Sequence, residues 1–272
     1  MMKLNLLRQG VLTHFRGSRM RYVLLGLEVD NLSMADVLDR NGRYRFIVPV
    51  NVDVLMKSRR DIEFRQLLRG RREMALLTLD SQVLLAAARL ILGYFFKERV
   101  SGSDLVPELC KRCLQGGDRV FLLGGRDGAA LEAMDHINRR VGAGVVVDAL
   151  SPSMGFDEKK DECREIVERI GASGATVVAI GVGAPKQEKW MFRYADQLPN
   201  VRLFIAVGAT IDFEAGRVPR APKWMSNAGL EWFYRLCREP RRLAKRYFLE
   251  NLPVFWLLLK QRLGLERWGN GL

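Results

Sequence analysis

Polar or glycine-rich segments follow several apolar runs of the sequence, and they hold the residue types that bind ligands and do chemistry. These segments are residues 50–53, 78–81, 124–128, 181–188 and 208–212. In an open α/β sheet, ligands bind in a crevice at the carboxyl ends of the parallel strands. If the apolar runs are such strands, the segments share one edge of a sheet, and we expect a ligand there.

Asp80 is a candidate catalytic group because it ends an apolar run, where a carboxylate is out of place unless it reaches into a cleft. A general base needs only to lie within hydrogen-bond distance of the hydroxyl that it deprotonates. The alternative is structural, since Asp80, or Ser81 beside it, could cap the helix that follows. Spacing alone favours neither interpretation.

Two glycine-rich turns, one at Gly124 and Gly125 and one at Gly183, lead into segments of helical period. Glycine lets backbone N–H groups approach a phosphate closely, and the helix N-terminus adds partial positive charge. The pair of turns favours an anionic ligand. Glycine at such a turn also occurs for purely steric reasons, so either turn alone is weak evidence.

The first of these turns also supports a different enzyme class. Gly124, Gly125 and Gly128 with Asp148 downstream resemble a dinucleotide fingerprint, in which the carboxylate holds a ribose. An NAD-dependent oxidoreductase is therefore an alternative. Its glycine spacing is irregular and its position is in the middle of the chain, and both features weaken it.

The elements that would position these segments alternate between β-branched apolar runs and longer stretches of helical period. Strands are predicted at residues 22–27, 44–50, 74–79, 119–123, 144–147, 176–180 and 202–207. Helices are predicted at residues 52–68, 82–92, 105–114, 129–140, 158–170 and 185–195, with Asp104 as the N-cap of the third. The pattern predicts an α/β fold with a Rossmann-like, mostly parallel sheet and flanking helices.

The amino-acid composition narrows the classes of ligand and partner that the protein could bind. The 272 residues carry a formal charge of +13, which favours an anionic partner such as a phosphate, nucleic acid or acidic membrane leaflet. A nucleic-acid-binding module is a weak alternative, because no known motif of that class is found. Cys110 and Cys113 form a single C-x-x-C without further ligands at zinc spacing, so we assign neither a metal site nor a cofactor.

The C-terminal part differs from the rest. Residues 217–246 contain nine basic and two acidic residues, and an apolar run follows at 252–259. We predict a catalytic domain at residues 1–216 and a basic amphipathic appendage at 217–272. Since no apolar stretch reaches the roughly 18 residues of a membrane span and no signal peptide is recognisable, we expect a cytoplasmic protein with peripheral membrane contact.

From about residue 24 to 263 the sequence resembles the WecG/TagA/CpsF glycosyltransferases, glycosyltransferase family 26. The resemblance rests on ordered motifs. They are Val-Asn-Val-Asp at 50–53, Asp80, Val-Ser-Gly-Ser-Asp-Leu at 100–105, Leu-Leu-Gly-Gly at 122–125, Gly-Ala-Pro-Lys-Gln-Glu-Lys-Trp at 183–190, Gly-Ala-Thr-Ile-Asp-Phe at 208–213, Arg-Ala-Pro at 220–222 and Leu-Glu-Trp-Phe-Tyr-Arg-Leu at 230–236.

The resemblance implies an inverting, metal-independent transfer of a hexose or N-acetylhexosamine, typically of the N-acetylmannosamine kind, from a UDP-like nucleotide-sugar to a polyprenyl-diphosphate-linked acceptor. Asp80 matches the family's proposed base. Donor or acceptor would be held by Asn51, Gly124, Gly125, Gly183, Pro185, Lys186, Gln187, Glu188, Asp212 and Arg220. The diphosphate would be gripped by Arg235, Arg242, Lys245 and Arg246.

Two departures from the family pattern lie at the expected sugar-binding edge. Pro49 stands where members often carry Thr, and Ser81 replaces the usual Gly after the catalytic Asp. They leave the donor sugar open. The run at 252–259 could lie at a bilayer interface, where each basic neighbour contributes about 1 kcal/mol near an anionic leaflet. A soluble helical cap or a homo-oligomer contact is the alternative.

Overall fold

A computed structural model describes residues 13–16, 19–39 and 44–265, apart from the side chains of residues 13–16, 19, 223, 227, 242 and 246. The strands are β1 Thr13–Arg16, β2 Arg19–Leu24, β3 Leu27–Asp30, β4 Phe46–Val50, β5 Ala75–Leu79, β6 Val120–Gly124, β7 Val146–Leu150, β8 Val177–Gly181 and β9 Leu203–Ala206.

The helices before the appendage are α1 Met34–Asp39, α2 Val52–Arg60, α3 Ile62–Gly70, α4 Gln82–Ala87, α5 Gly102–Gly116, α6 Ala129–Val141, α7 Lys160–Ser173, α8 Lys186–Tyr194 and α9 Thr210–Glu214. The helices within the appendage are α10 Lys223–Asn227, α11 Glu231–Arg238, α12 Pro240–Ala244 and α13 Pro253–Arg262. A π-helical turn, Ala88–Leu92, extends α4, and another, Lys245–Asn251, joins α12 to α13.

The predicted α/β fold is confirmed. Six strands form one parallel sheet in the order β5-β4-β9-β8-β6-β7. Every residue of β4, β5, β6, β8 and β9 is buried, because helices cover both faces of the sheet. Strands buried on both faces must be apolar throughout, which is why the sequence shows continuous apolar runs.

The first predicted strand, residues 22–27, is wrong. The chain reverses at Leu25 and Gly26, so that β2 and β3 pair antiparallel in a separate three-stranded sheet with β1. The turn is buried, so it lacks the polar residues that mark exposed turns. Gln261 of α13 supplies its hydrogen bonds, accepting from Leu25 N at 2.8 Å and donating to Val23 O at 2.6 Å.

Two helix predictions also need correction. The helix predicted at 52–68 is broken at Asp61, which ends α2 and whose carboxylate accepts from Phe64 N at 2.9 Å as the N-cap of α3. Asp104 is not the N-cap of α5. Ser101 is, with its hydroxyl accepting from Asp104 N at 3.2 Å. The helix begins at Gly102, before the predicted residue 105. Because Gly102 has no Cβ, this end of the helix can approach the backbone of Val207, which directly follows β9.

The apolar core lies on both faces of the parallel sheet. On one face α2, α3 and α8 pack with the N-terminal hairpin, and on the other α1, α5, α6 and α9 pack. The C-terminal helix joins the first of these layers, where Val254, Leu257 and Leu258 are buried. Part of the apolar run at 252–259 therefore belongs to the core. Fewer of its side chains than the sequence indicates are available for contact with a membrane or another subunit.

Candidate active site

A cavity that we call the main cavity, because Asp80 lines it, lies at the carboxyl ends of β4 and β5 and has a volume of about 300 Å³. Asn51 and Asp80 line it from the sheet, and Arg99 lines it from the loop before α5. Helix α11 of the appendage contributes Glu231 and Arg235. Aromatic and apolar side chains complete the wall, namely Trp232, Tyr247, Phe248, Leu252, Val254 and Phe255.

The structure separates the two roles that the sequence allowed for Asp80 and Ser81. The Ser81 hydroxyl accepts from Leu84 N at 3.2 Å and caps α4. Asp80 extends β5 by one residue, with its backbone N–H donating to Val50 O at 2.8 Å. Its carboxylate is therefore not used for capping and lies in the wall of the main cavity.

The environment of Asp80 favours its protonated form. Only 24% of the side chain is accessible, and burial raises the pKa of Asp80 to about 8. The positive charges of Arg99 and Arg235 lower this pKa, whereas Glu231 and Asp104 raise it. A carboxyl group of raised pKa is a stronger base once it has lost its proton, which suits general base catalysis.

Arg99 stands at the centre of three carboxylates and was missed by the sequence analysis. Its Nη2 donates to Asp104 Oδ2 at 2.8 Å. Its Nη1 lies 4.0 Å from Asp80 Oδ1 and 3.7 Å from Glu231 Oε2. At those lengths Nη1 makes an ionic contact but no hydrogen bond with either group, so it faces the cavity with a donor left over for a ligand. Its position directly before the 100–105 motif was the only signal.

Asn51 and Gln187 shape the floor of the crevice. Asn51 lines the main cavity, and its Oδ1 caps α2 by accepting from Val54 N at 3.0 Å. Gln187 Oε1 accepts from Gly183 N and from Gly208 N, both at 3.2 Å. One amide group thereby ties together the loops that follow β8 and β9.

Glu188 lies behind this floor and does not line the main cavity. It is fully buried, accepts from Gln187 Nε2 at 2.8 Å through Oε1, and its Oε2 has no hydrogen-bond partner. Burial raises the pKa of Glu188 to about 7, against the lowering effects of Gln187, its own backbone and Lys57. A direct contact of Glu188 with a ligand in the main cavity does not follow from this placement.

The other members of the 183–188 motif lie around α8. Gly183 has a positive φ of 85° and open space where a Cβ would stand. Pro185 precedes the helix. Lys186 does not line the main cavity, and its Nζ pairs with Asp157 at 2.8 Å.

Packing explains the glycines at the end of β6. A Cβ on Gly124 would stand 2.5 Å from the backbone of Gly181, and one on Gly125 would stand 2.8 Å from Ile211 Cγ2. Asp212 organises the same turn by accepting from Arg126 N at 2.9 Å. The turn is four strand spacings from β5, or roughly 19 Å, so it cannot contact the same small group as Asp80.

The alternative of an NAD-dependent oxidoreductase depends on Asp148 as the group that binds ribose. Asp148 accepts two hydrogen bonds from Arg169, both at 2.8 Å, and this partner lowers the pKa of Asp148. A carboxylate engaged in a bidentate pair with arginine is not free to hold ribose hydroxyls.

Three of the predicted cations of the appendage have described side chains, and the three lie in different places. Arg235 lines the main cavity, with its guanidinium 5.6 Å from the centre of the Phe213 ring. Arg220 pairs with Asp104 and lines a neighbouring cavity. Lys245 is exposed and lines neither cavity. The side chains of Arg242 and Arg246 lie outside the described part of the structure.

Crevices at the carboxyl edge of an open parallel sheet are where α/β enzymes bind their ligands, and the buried carboxyl of Asp80, whose pKa is raised, lies in such a crevice. A family model described as "Glycosyl transferase WecG/TagA/CpsF family" matches residues 22–267. The chain belongs to this family, and it is therefore a glycosyltransferase.

Membership fixes the general activity. The family acts in cell-surface polysaccharide biosynthesis and in general uses a nucleotide-sugar donor and a lipid-linked acceptor. Among the residues that the structure describes, no helix combines the length and apolar character that crossing a bilayer requires.

Proposed function

We propose that the protein is an inverting, metal-independent glycosyltransferase that moves a hexose or N-acetylhexosamine from a UDP-linked donor to a polyprenyl-diphosphate-linked sugar. The observation that carries this proposal is the placement of Asp80 opposite Arg235 in the main cavity. One residue offers a base for the acceptor, and the other offers a cation for a diphosphate.

In the proposed reaction, an acceptor hydroxyl attacks the anomeric carbon of the donor sugar and gives its proton to the Asp80 carboxylate. The new C–O bond forms as the bond from the anomeric carbon to the nucleoside diphosphate breaks, and the leaving group keeps the electron pair. A single displacement of this kind inverts the anomeric configuration. The raised pKa of Asp80 means that the base is ready only at mildly alkaline pH in the free enzyme.

The departing diphosphate needs positive charge. Arg99 lines the main cavity, and its Nη1 makes no hydrogen bond to Asp80 or Glu231; a guanidinium can bind a phosphate through two parallel hydrogen bonds. Charge placed in a partly desolvated site stabilises a developing anion more strongly than it would in water. Arg99 therefore supports leaving-group stabilisation without a metal ion, and Arg235 is assigned to the diphosphate of the acceptor.

The roughly 19 Å between the β6 turn and Asp80 suits an extended donor. We assign the nucleotide to the ends of β6, β8 and β9, where Gly183 and Gly208 leave open space, and the donor sugar to the floor near Asn51. The acceptor then approaches from the β5 side, under the aromatic wall of the appendage.

We further propose that residues 217–272 act as a cover that brings the enzyme to the inner face of the plasma membrane. Apolar side chains of this segment remain exposed, including Phe248, Leu249, Leu252, Trp256 and Leu259. Two of them, Phe248 and Leu252, also line the main cavity, so a lipid-linked acceptor leaving the bilayer would meet the cavity directly. Apolar burial and basic charge together are the two signals that peripheral binding needs.

The activity is tested by mixing the full chain with UDP-linked hexoses and N-acetylhexosamines and a farnesyl-diphosphate-linked N-acetylhexosamine, in the presence of EDTA. We expect UDP release and a product whose new glycosidic bond has the anomeric configuration opposite to that of the donor. Folded protein that releases no nucleotide with any donor would overturn the proposal. Retention of configuration, or dependence on added metal, would overturn the inverting or the metal-independent part.

A further inference from the structure

A second cavity, which we call the side cavity, adjoins the main cavity and has a volume of about 470 Å³. The two share the side chains of Gln82, Arg99 and Ser226. Beyond this shared wall, the side cavity is bounded by the start of α1, the loop before α5, the first turn of α5 and the start of the appendage. The residues from those elements are Met34, Glu98, Asp104, Arg220 and Ala221.

The side cavity has a different chemical character from the main cavity. The aromatic wall is absent from its lining, and two carboxylates, Glu98 and Asp104, balance two guanidinium groups, Arg99 and Arg220. An amide and a hydroxyl add further donors and acceptors. Balanced charge gives no net attraction for a diphosphate, whereas alternating donors and acceptors match the hydroxyl groups of a neutral sugar.

The walls of this cavity are held in place from within the fold. Glu98 accepts from Met34 N at 2.8 Å, which joins α1 to the loop before α5. Asp104 accepts from Ser101 Oγ at 2.7 Å and from Arg99 Nη2 at 2.8 Å, and it also pairs with Arg220 of the appendage. A ligand would thus meet preformed polar groups, and closing the site costs little additional ordering.

The position of the side cavity selects which sugar it would take. Arg99 in its lining lies 4.0 Å from Asp80, which puts the cavity at the β5 edge of the sheet, away from the glycine turns of β6 and β8. On the proposed function, the donor reaches Asp80 from the opposite direction. The ligand on the β5 side is then the acceptor, with its diphosphate and lipid against Arg235 and the aromatic wall.

We propose that the side cavity is the subsite for the sugar of the lipid-linked acceptor, and that Arg99, Asp104 and Arg220 bind its hydroxyl groups. This inference rests on the proposed transferase activity. It makes the side cavity the place where the enzyme distinguishes one acceptor sugar from another, separately from the donor site.

The test is a variant that fills the cavity, Met34→Trp, with Met154→Trp as a matched control. Met154 is 94% exposed and follows β7 at the opposite edge of the sheet. With UDP-linked donor and farnesyl-diphosphate-linked N-acetylhexosamine, we expect Met34→Trp to raise the KM for the acceptor at least about tenfold. The KM for the donor and its affinity by calorimetry should stay within about twofold, and Met154→Trp should match wild type.

A second variant avoids added bulk. Glu98→Gln removes one charge while its amide oxygen can still accept from Met34 N, and we expect a smaller rise in acceptor KM with an unchanged thermal midpoint. An unchanged acceptor KM in both variants, with wild-type protein active, would overturn the subsite while leaving the transferase intact. Absence of transfer by wild type would instead overturn the proposed function.

Discussion

The two sides of the main cavity are built in different ways. Asn51 and Asp80 each follow a fully buried strand, and the backbone of Asp80 is bonded to the neighbouring strand. Glu231 and Arg235 come from α11, a helix with no buried residue. The sheet side can hold an atom in a fixed position, whereas the appendage side supplies charge and apolar cover.

The difference indicates a division of labour. Catalysis needs reacting atoms held in close alignment, and rigid elements provide it. Binding of a lipid-linked substrate tolerates more movement, because ionic and apolar contacts depend less on orientation. Changes on the sheet side should therefore reduce the chemical step, and changes on the appendage side should mainly reduce substrate binding.

The sharpest test of the sheet side is Asp80→Asn. Asparagine keeps the shape but cannot take the proton, so kcat should fall by about 10²- to 10⁴-fold with donor affinity retained. Quench-flow measurement of UDP formation checks the first part, and calorimetry with UDP checks the second.

The matched control for this variant is Asp61→Asn. It makes the same change of side chain at the N-cap of α3, outside the main cavity, and it should lower stability by no more than about 1 kcal/mol with little effect on kcat. Transfer at the wild-type rate by Asp80→Asn would mean that another group is the base and that the sheet side does not carry the chemistry.

The same substitution also has a stability signature. The folded-state pKa of Asp80, about 8, lies above its usual value of 3.8. A raised carboxyl pKa favours folding below the unfolded pKa, and this contribution is lost as pH rises through about 8. Asp80→Asn should therefore gain thermal stability relative to wild type at pH 9 but not at pH 3.5. If Asp80→Asn changed the thermal midpoint by the same amount at both pH values, this would contradict a buried environment that raises the pKa of Asp80.

The appendage side is tested by Arg235→Ala, with Arg238→Ala as control. Arg235 lines the cavity, whereas Arg238 lies on the same helix with its guanidinium over the Tyr234 ring. We expect Arg235→Ala to reduce kcat/KM for the acceptor by roughly 10- to 100-fold, about 1.4 to 3 kcal/mol, mostly through KM. Arg238→Ala should change it less than about twofold.

An effect of Arg235→Ala confined to kcat would break the division between the two sides. It would show that the appendage takes part in the transition state as directly as the sheet does. Arg235→Lys should recover part of the loss, since it restores the charge but not the paired hydrogen bonds.

The two sides also differ in how far the sequence predicts them. The parallel sheet follows from its apolar runs, and Asp80 and Asn51 could be placed at its carboxyl edge because strand ends converge there. Arg99 could not be placed in this way, since it follows a π-helical turn and an extended loop that return the chain to Asp80. That return depends on packing between elements, which no local pattern records.

The glycines show the same limit. A glycine that contacts a ligand and one that makes room for a neighbouring backbone look identical in sequence. Only the structure shows that a Cβ on Gly124 would overlap Gly181, whereas one on Gly183 would meet nothing. The buried reversal at Leu25 and Gly26 was missed for a related reason, since its hydrogen bonds come from Gln261 at the other end of the chain.

Behind the sheet side, Glu188→Gln tests whether the floor is held by a protonated carboxyl. The folded-state pKa of Glu188, about 7, exceeds its usual value of 4.5. Its stabilising effect is complete below pH 4.5 and is lost as pH rises through about 7. At pH 8.5 the variant should exceed wild type in stability by up to roughly 3 kcal/mol, and at pH 4.5 the two should be similar.

Thermal or urea unfolding across this pH range measures the difference. If the variant were less stable than wild type at pH 8.5, the ionised Glu188 carboxylate would have to be stabilised by a partner in the folded state. Activity should be largely kept, because Gln187 can still donate its hydrogen bond to the new amide oxygen.

The smallest effect is expected where the two sides are joined at the surface. Arg126 Nη2 lies 3.1 Å from Glu239 Oε1, linking the β6 turn to the end of α11, and the arginine side chain is 55% exposed. Exposed ion pairs contribute about 0–1 kcal/mol, so Arg126→Ala should lower stability and acceptor affinity only slightly. Arg139→Ala, which removes a similar pair with Asp135, is the control.

If Arg126→Ala instead weakened acceptor binding strongly, the ion pair would be the main attachment of the appendage. The burial of Leu257 and Leu258 of α13 argues for the other outcome. A buried leucine contributes about 2–5 kcal/mol, several times more than an exposed ion pair. The C-terminal helix therefore anchors the appendage through the core, and the surface contacts of α11, which has no buried residue, contribute less to that attachment.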